Sequence, residues 1–296
     1  MKPEQPASLP RRRIAEAEIL PLKNRKFRES CGDGNSAMGQ EQSGLFCTAE
    51  PNVDYLPRSR QFMLIEEISV PSTVHGESPH WCSITGSLFY VDIKAKTIYQ
   101  YVPSTKTTES MTFGSFVGFA IPTSRSTISK IILFVGLEAE IVEVNFSTKE
   151  ILRVVSTLPE DASVDCRFND GKCNHEGRLY TGYMHSKWRD GKRGNVYQLI
   201  QSQPETDETL MELQPMFDDE EFHLPNGSTW KKNGTVYFID SGNNTINCYT
   251  ESADTDESDY GLQKVNCVFT LNEEDHIDGY MLDGMTIDND GKLWVR

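Results

Sequence analysis

From Phe62 onward the apolar residues come in short bursts. FMLIEEISV, GSLFYVDI, TIYQYV, IILFVGL, AEIVEVNF, GRLYTGYM, GNVYQLI, GTVYFID and TINCYT are each rich in β-branched and aromatic side chains, and Gly, Asn, Asp, Pro and Ser separate them. Runs of that length and content, bounded by turn formers, predict β-strands. No segment keeps a 3.6-residue apolar stripe for twelve residues or more, so long amphipathic helices are not expected.

The strands repeat as groups. Gly86, Asp92, Ile98 and Tyr101 stand at offsets 0, +6, +12 and +15, and Gly234, Asp240, Ile246 and Tyr249 stand at the same offsets. Trp81 and Trp230 precede these glycines by five and four residues. Each unit reads as a strand, a Gly-marked turn, a second strand through the Asp, a turn, and a third strand ending at the Tyr. Further copies begin at Gly177 and Gly291, and the 91 residues between Gly86 and Gly177 leave room for another near IILFVGLEAEIVEVNF. The last copy stops just after its second strand begins. Antiparallel units of about 45 to 57 residues point to an all-β chain folded as a β-propeller over residues 62–296. A β-sandwich gives no reason for equal offsets between distant strands.

The same phase carries oxygen donors. Asn169, Asn226 and Asp283 are 57 residues apart, each eight residues ahead of a repeat glycine, and Glu77 is nine residues ahead of Gly86. The first strand of a propeller blade lines the central channel, so these four are expected at one mouth of it. Asn-Gly and Asp-Gly are also ordinary turn formers. Unrelated turns, however, need not share a register. Two carboxylates and two amides make a hard, oxygen-only set suited to Ca²⁺, Mg²⁺ or Mn²⁺, with Zn²⁺ reachable through the carboxylates.

Composition narrows the setting. With 44 acidic and 29 basic residues the formal charge is −15, which argues against nucleic acid or an anionic membrane as partner. No run approaches the length of a membrane span. Arg11, Arg12 and Arg13 are not followed by an apolar stretch, so no secretory signal is read, and Glu16 and Glu18 oppose a mitochondrial one. Seven cysteines form no C-x-x-C pair, which fits reduced thiols and a cytoplasmic location, with the sequons at Asn145, Asn226, Asn233 and Asn243 left bare. Residues 1–61 lack periodicity of either kind and read as a disordered N-terminal extension.

The motifs GESPHW with LFYVDI, RFNDGK with GRLYTGYM, LPNGSTW with VYFIDS, and LDGMTIDNDGKLWV resemble the regucalcin (senescence marker protein), gluconolactonase and luciferin-regenerating enzyme family. The stretch VHGESPHW to KAKTIYQYVPS is most similar to the insect luciferin-regenerating branch. The resemblance implies a six-bladed propeller with one divalent metal, Ca²⁺ or Zn²⁺ ahead of Mg²⁺ or Mn²⁺. It implies Glu77, Asn226 and Asp283 as metal ligands, Arg167 and Asn169 as substrate contacts, and Asp283 as general base. The implied activity is hydrolysis of sugar lactones by a chain that is monomeric at full length. Alternatives within the resemblance are a non-catalytic calcium-binding regulator and an enzyme regenerating luciferin.

Departures from the family pattern are also visible. Relatives continue for roughly one and a half to two further blades, so about four to five blades and a C-terminally truncated propeller are expected. Tyr183 and Lys187 are expected to crowd or repolarise the substrate lid. Cys166 replaces an asparagine, and its thiol is a poorer hydrogen-bonding partner for the loop. His185 reads as a loop residue, and His75, His80, His175, His223 and His276 form no metal-spaced pair. Ser241 lacks the setting of a nucleophile.

Overall fold

The computed structural model describes residues 68, 70–201, 211–217, 222–251, 261–272 and 280–296. The disordered extension expected over residues 1–61, its boundary with the propeller, and the FMLIEEISV run apart from Ile68 and Val70 lie outside the described residues.

The chain folds into consecutive antiparallel sheets. The first holds β1 (Gly76–Cys82), β2 (Ser87–Asp92), β3 (Thr97–Val102) and β4 (Thr107–Thr112) in that order. The second holds β5 (Val117–Pro122), β6 (Ile132–Leu137), β7 (Glu140–Asn145) and β8 (Glu150–Thr157). The third is β9 (Cys166–Cys173), β10 (Leu179–His185), β11 (Asn195–Gln201) and β12 (Met211–Pro215). The fourth is β13 (Pro225–Trp230), β14 (Thr235–Asp240), β15 (Thr245–Glu251) and β16 (Leu262–Thr270). A two-stranded sheet, β17 (Met285–Ile287) with β18 (Leu293–Val295), follows. Four full blades and this pair match the all-β, incomplete-propeller expectation. Among the described residues, helix is confined to α1 (Glu160–Ser163) and one 3₁₀ turn, Trp188–Asp190. None is long and apolar enough to cross a membrane.

Each blade has four strands, where the repeat predicted three. The unpredicted outer strand is polar or solvent-facing: β4 reads TTESMT with one buried residue, and β8 exposes Ile151, Leu152 and Val154. Middle strands are buried on both faces, which is why they stand out as apolar runs. Cores form between neighbouring blades. Phe89, Val91 and Ile98 meet Val117, Leu133 and Phe146, then Phe119 and Ile141 meet Phe168 and Leu199. Tyr180 and Val196 meet Trp230, Phe238 and Tyr249, and Ile239 and Ile246 meet Leu282 and Met285.

The repeated offsets now have physical reasons. Gly86 and Gly234 turn with φ of 60° and 83°, which costs glycine nothing. Ile98, Ile246, Tyr101 and Tyr249 are buried. Asp92 and Asp240, both buried, pin the segment leading into each inner strand. Asp92 accepts from the N–H groups of Val74 (2.6 Å), His75 (3.2 Å) and Ala95 (2.9 Å). Asp240 accepts from the N–H groups of His223 (3.2 Å), Leu224 (3.0 Å) and Gly242 (3.1 Å), and from Nδ2 of Asn243 (2.7 Å). Each therefore fixes the backbone two to three residues before a proposed cation ligand, Glu77 or Asn226.

Candidate functional site

Inner strands of successive blades touch one another: β1 with β5, β5 with β9, β9 with β13, and β13 with β17. Every one of the four blades breaks its ladder at the same place on the inner strand. Gly76 faces Asp92 and Glu77 faces Val91 before the register shifts ahead of His80. Phe168 faces Tyr183, and Asn169 and Asp170 fall in the shift that follows. Pro225 faces Asp240, with Asn226 and Gly227 in the shift. In the second blade Val117 faces Leu137, and Gly118 falls in the shift. A bulge re-aims side chains and is common beside functional sites. Here it turns Glu77, Asn169 and Asn226 to the channel at equivalent positions, and Asp283 arrives from the segment before β17.

The equivalent position of the second blade carries no side chain, and the structure shows the reason. A Cβ on Gly118 would stand 2.4 Å from the carbonyl oxygen of Asn169 and 2.5 Å from that of Phe168. The blade that looked hidden in the sequence supplies clearance in place of a donor, letting β9 come close. Gly118→Ala should therefore displace the Asn169 backbone and cost about 1–3 kcal/mol. A thermal melt checks this, and an unchanged midpoint would refute it.

Glu77, Arg167, Asn169, Asn226 and Asp283 all line one cavity of about 460 Å³. Asn169 is buried and held at both ends of its amide: Nδ2 donates to the Pro225 carbonyl at 3.0 Å, and Oδ1 accepts from Nη1 of Arg167 at 3.0 Å. The same Nη1 donates to the Phe168 carbonyl at 2.8 Å. Nδ2 of Asn226 donates to Oγ of the buried Ser241 at 3.0 Å, which leaves Oδ1 with no donor among the described residues. Ser241 thus acts as an acceptor for Asn226, in keeping with its lacking the setting of a nucleophile.

The electrostatics favour a cation. Burial, and after it the charge of Asp283 within hydrogen-bonding reach, raise the Glu77 carboxyl to about 7 against the pull of Arg296. Burial likewise lifts Asp170, opposed by Lys172, to about 6. Burial holds Arg167 and Lys172 below their ordinary values, and Nζ of Lys172 donates to the Met285 carbonyl at 3.0 Å. Carboxyls this crowded ionise together only with positive charge beside them. The guanidinium of Arg296 already lies against the pair, 2.9 Å from Oε1 of Glu77 and 4.0 Å from Oδ2 of Asp283. No three His, Cys, Asp or Glu side chains converge on a metal-ready point among the described residues. A cation here would therefore need amide oxygens such as Oδ1 of Asn226 as well as carboxylates, a set fitting a hard ion.

The lid expectation is corrected. Neither Tyr183 nor Lys187 lines the cavity: the Tyr183 ring packs 5.7 Å from that of Tyr197, and Lys187 is exposed, its N–H donating to Nδ1 of His185 at 3.0 Å. Successive strand residues face opposite ways, so Met184 lines the cavity in place of Tyr183, followed by Ser186, Trp188 and Arg189. Cys166 is buried between blades, where burial raises its thiol, and neither it nor His185 reaches the cavity. Asp170 was legible as the middle of the N-D-G motif and His75 as the neighbour of Glu77 by two positions. Lys94, Trp188 and Arg189 lie in connecting segments with no sequence signal.

Residues 75–296 match the model of the "SMP-30/Gluconolactonase/LRE-like region". Regucalcin of Danio rerio is 31% identical over 227 residues, covering 74% of this chain and 66% of the relative. The Bacillus subtilis (strain 168) protein named "Putative sugar lactone lactonase YvrE" is 28% identical over 223 residues, covering 75% and 68%. Among solved structures, a luciferin-regenerating enzyme superposes with a TM-score of 0.61 at 28% identity, covering 75% of this chain and 69% of that one. The chain thus spans about two-thirds of the length of the relatives it matches. With the family model covering the blades and the whole cavity, the chain belongs to the SMP-30/gluconolactonase/LRE-like family.

Proposed function

We propose that this chain is a divalent-cation-dependent hydrolase of sugar lactones, with Glu77, Asn226 and Asp283 holding the ion and Arg167 and Asn169 holding the substrate. The observation that carries the reading is the convergence of all five on one cavity from three different blades and from the segment before β17. The family's name and the lactonase name of one relative support the reaction class.

When bound, the cation supplies Lewis acidity at the lactone carbonyl and offsets the negative charge that addition of water creates. The protein's own part is positioning and proton transfer. Asn169, fixed at both ends of its amide, anchors one arm of Arg167, and the remaining guanidinium N–H groups donate to lactone oxygens. Asp283 takes a proton from the attacking water. The C–O bond of the ring then breaks, and the proton passes to the departing ring oxygen, giving the open-chain hydroxy acid. Ile93, Met184, Leu224 and Met281 supply apolar wall that limits competing water.

Arg167→Lys keeps the charge and loses the planar fork, so kcat/KM should fall about 10- to 100-fold. Steady-state kinetics on gluconolactone read this, and a wild-type value would remove Arg167 from the site. The reading as a whole is tested by gluconolactone turnover after chelation and re-addition of Ca²⁺, Zn²⁺, Mg²⁺ or Mn²⁺. Activity should vanish and return with the ion, and turnover indifferent to chelator would overturn it. The regucalcin name of several relatives supports a second reading as a calcium-binding regulator. Tight Ca²⁺ binding with no turnover of any lactone would favour it.

A further inference from the structure

The mouth of the cavity carries charge that the proposed hydrolysis of a neutral lactone does not use. Lys94, in the turn after β2, and Arg189, in the 3₁₀ turn after β10, both line the cavity and are both exposed, which places them at its rim. The Lys94 ammonium makes no hydrogen bond or ion pair among the described residues. Arg189 stacks its guanidinium 4.2 Å from the centre of the Trp188 ring and meets no carboxylate among the described residues. Deeper in the same cavity stands the partly buried Arg167. The cavity's carboxylates are Glu77, Asp170 and Asp283, the group beside which the cation would sit.

This arrangement runs against the chain as a whole, in which acidic residues outnumber basic ones 44 to 29. On an acidic surface an idle Lys and Arg would be expected to find carboxylates. Two that instead flank a cavity mouth, one of them stiffened by stacking on Trp188, form an anion-binding rim. An ammonium serves as a point charge for phosphate or carboxylate, and a guanidinium as a planar fork for either.

We propose that the substrate class is an anionic sugar lactone, its carbonyl directed inward and a phosphate or carboxylate substituent held at the rim by Lys94 and Arg189. The proposal rests on the lactonase reading for the reaction, but binding tests it without turnover. Isothermal calorimetry on the Ca²⁺-loaded full chain would compare glucose with glucose 6-phosphate and with glucuronate. The phosphorylated or the carboxylated sugar should bind about tenfold tighter than glucose, and whichever does so identifies the anionic group. In a Lys94→Gln, Arg189→Gln double variant with an unchanged melting midpoint, the ratio should fall toward one, and the preference should also shrink with added salt. Equal binding of all three sugars, or a preference that survives the double variant, would overturn the proposal. Gluconolactone and its 6-phosphate are then compared as substrates. An anion preference in binding with no hydrolysis of either would fail the lactonase reading and leave the rim intact. Hydrolysis of both without discrimination, together with equal binding, would do the reverse.

Discussion

Asp283→Ala should lower lactone turnover by at least about a thousandfold, the combined loss of a proton acceptor and of cation-borne charge stabilisation. The side chain lines the cavity beside Glu77, so the same change should weaken cation binding by more than about tenfold, a direct charge-assisted contact being removed. Its fold should survive. Its backbone hydrogen bonds hold the segment in place: its N–H donates to the Arg296 carbonyl at 3.1 Å, and its carbonyl accepts from Gly227 N–H at 3.2 Å. Both remain in alanine. Asp283→Asn separates the two roles, because the amide oxygen can still coordinate but cannot take a proton. Calorimetric Ca²⁺ titration should show weakened but measurable binding for the Asn variant, with turnover as low as in Ala. A full rate for Asp283→Ala would end the assignment.

Asp240→Ala should be the most destabilising single change at the blade corners, by about 3–5 kcal/mol, since it strands several buried donors at once. For a domain of this size that lowers the melting midpoint by about 10 °C. Asp240→Asn keeps one acceptor oxygen and should fall between. The loss should extend to the site, because His223 and Leu224 lead into Asn226. An alanine variant melting within a degree or two of wild type would refute the role. Asp92 does the same work in the first blade and adds a pH signature. Burial pushes its carboxyl up, but the N–H groups of Ala95, Val74, His75 and Lys94 outweigh that and hold it below the ordinary value. The unfolded chain therefore takes up this proton at higher pH than the fold does. The stabilisation is complete above the unfolded value of about 3.9 and is lost as pH falls through the folded one. Melting curves from pH 7 down to 3 should drop more steeply at the acid end for wild type than for Asp92→Asn.

The middle strands could be found in the sequence because they are buried on both faces. SLFYVD, ILFVGL and TVYFID are buried along nearly all their length and read as apolar runs. Inner strands could not be read that way. GESPHWC, VGFAIP and CRFNDGKC hold Gly, Pro and polar residues, since their job is to bulge, approach a neighbour and present donors to a channel. Outer strands such as TTESMT bury too little to leave a pattern. The donors were legible for a different reason: a fixed phase recurs wherever blades reuse one geometry, and Glu77, Asn169, Asn226 and Asp283 keep it. Tyr183 and Lys187 were misassigned to the lid because the direction of a side chain near a strand end depends on where the ladder shifts.

By itself, then, the sequence determined the repeating unit, the buried Asp that closes the corner of the first and fourth blades, and the set of oxygen donors, because these depend on local turns and periodicity. The tertiary structure decided which blade contributes nothing, since Gly118 is dictated by the nearness of β9 and by no local preference. It also decided that Lys94 and Arg189, from blades one and three, flank one mouth. Packing of whole blades sets such distances, and no single segment of the chain encodes them.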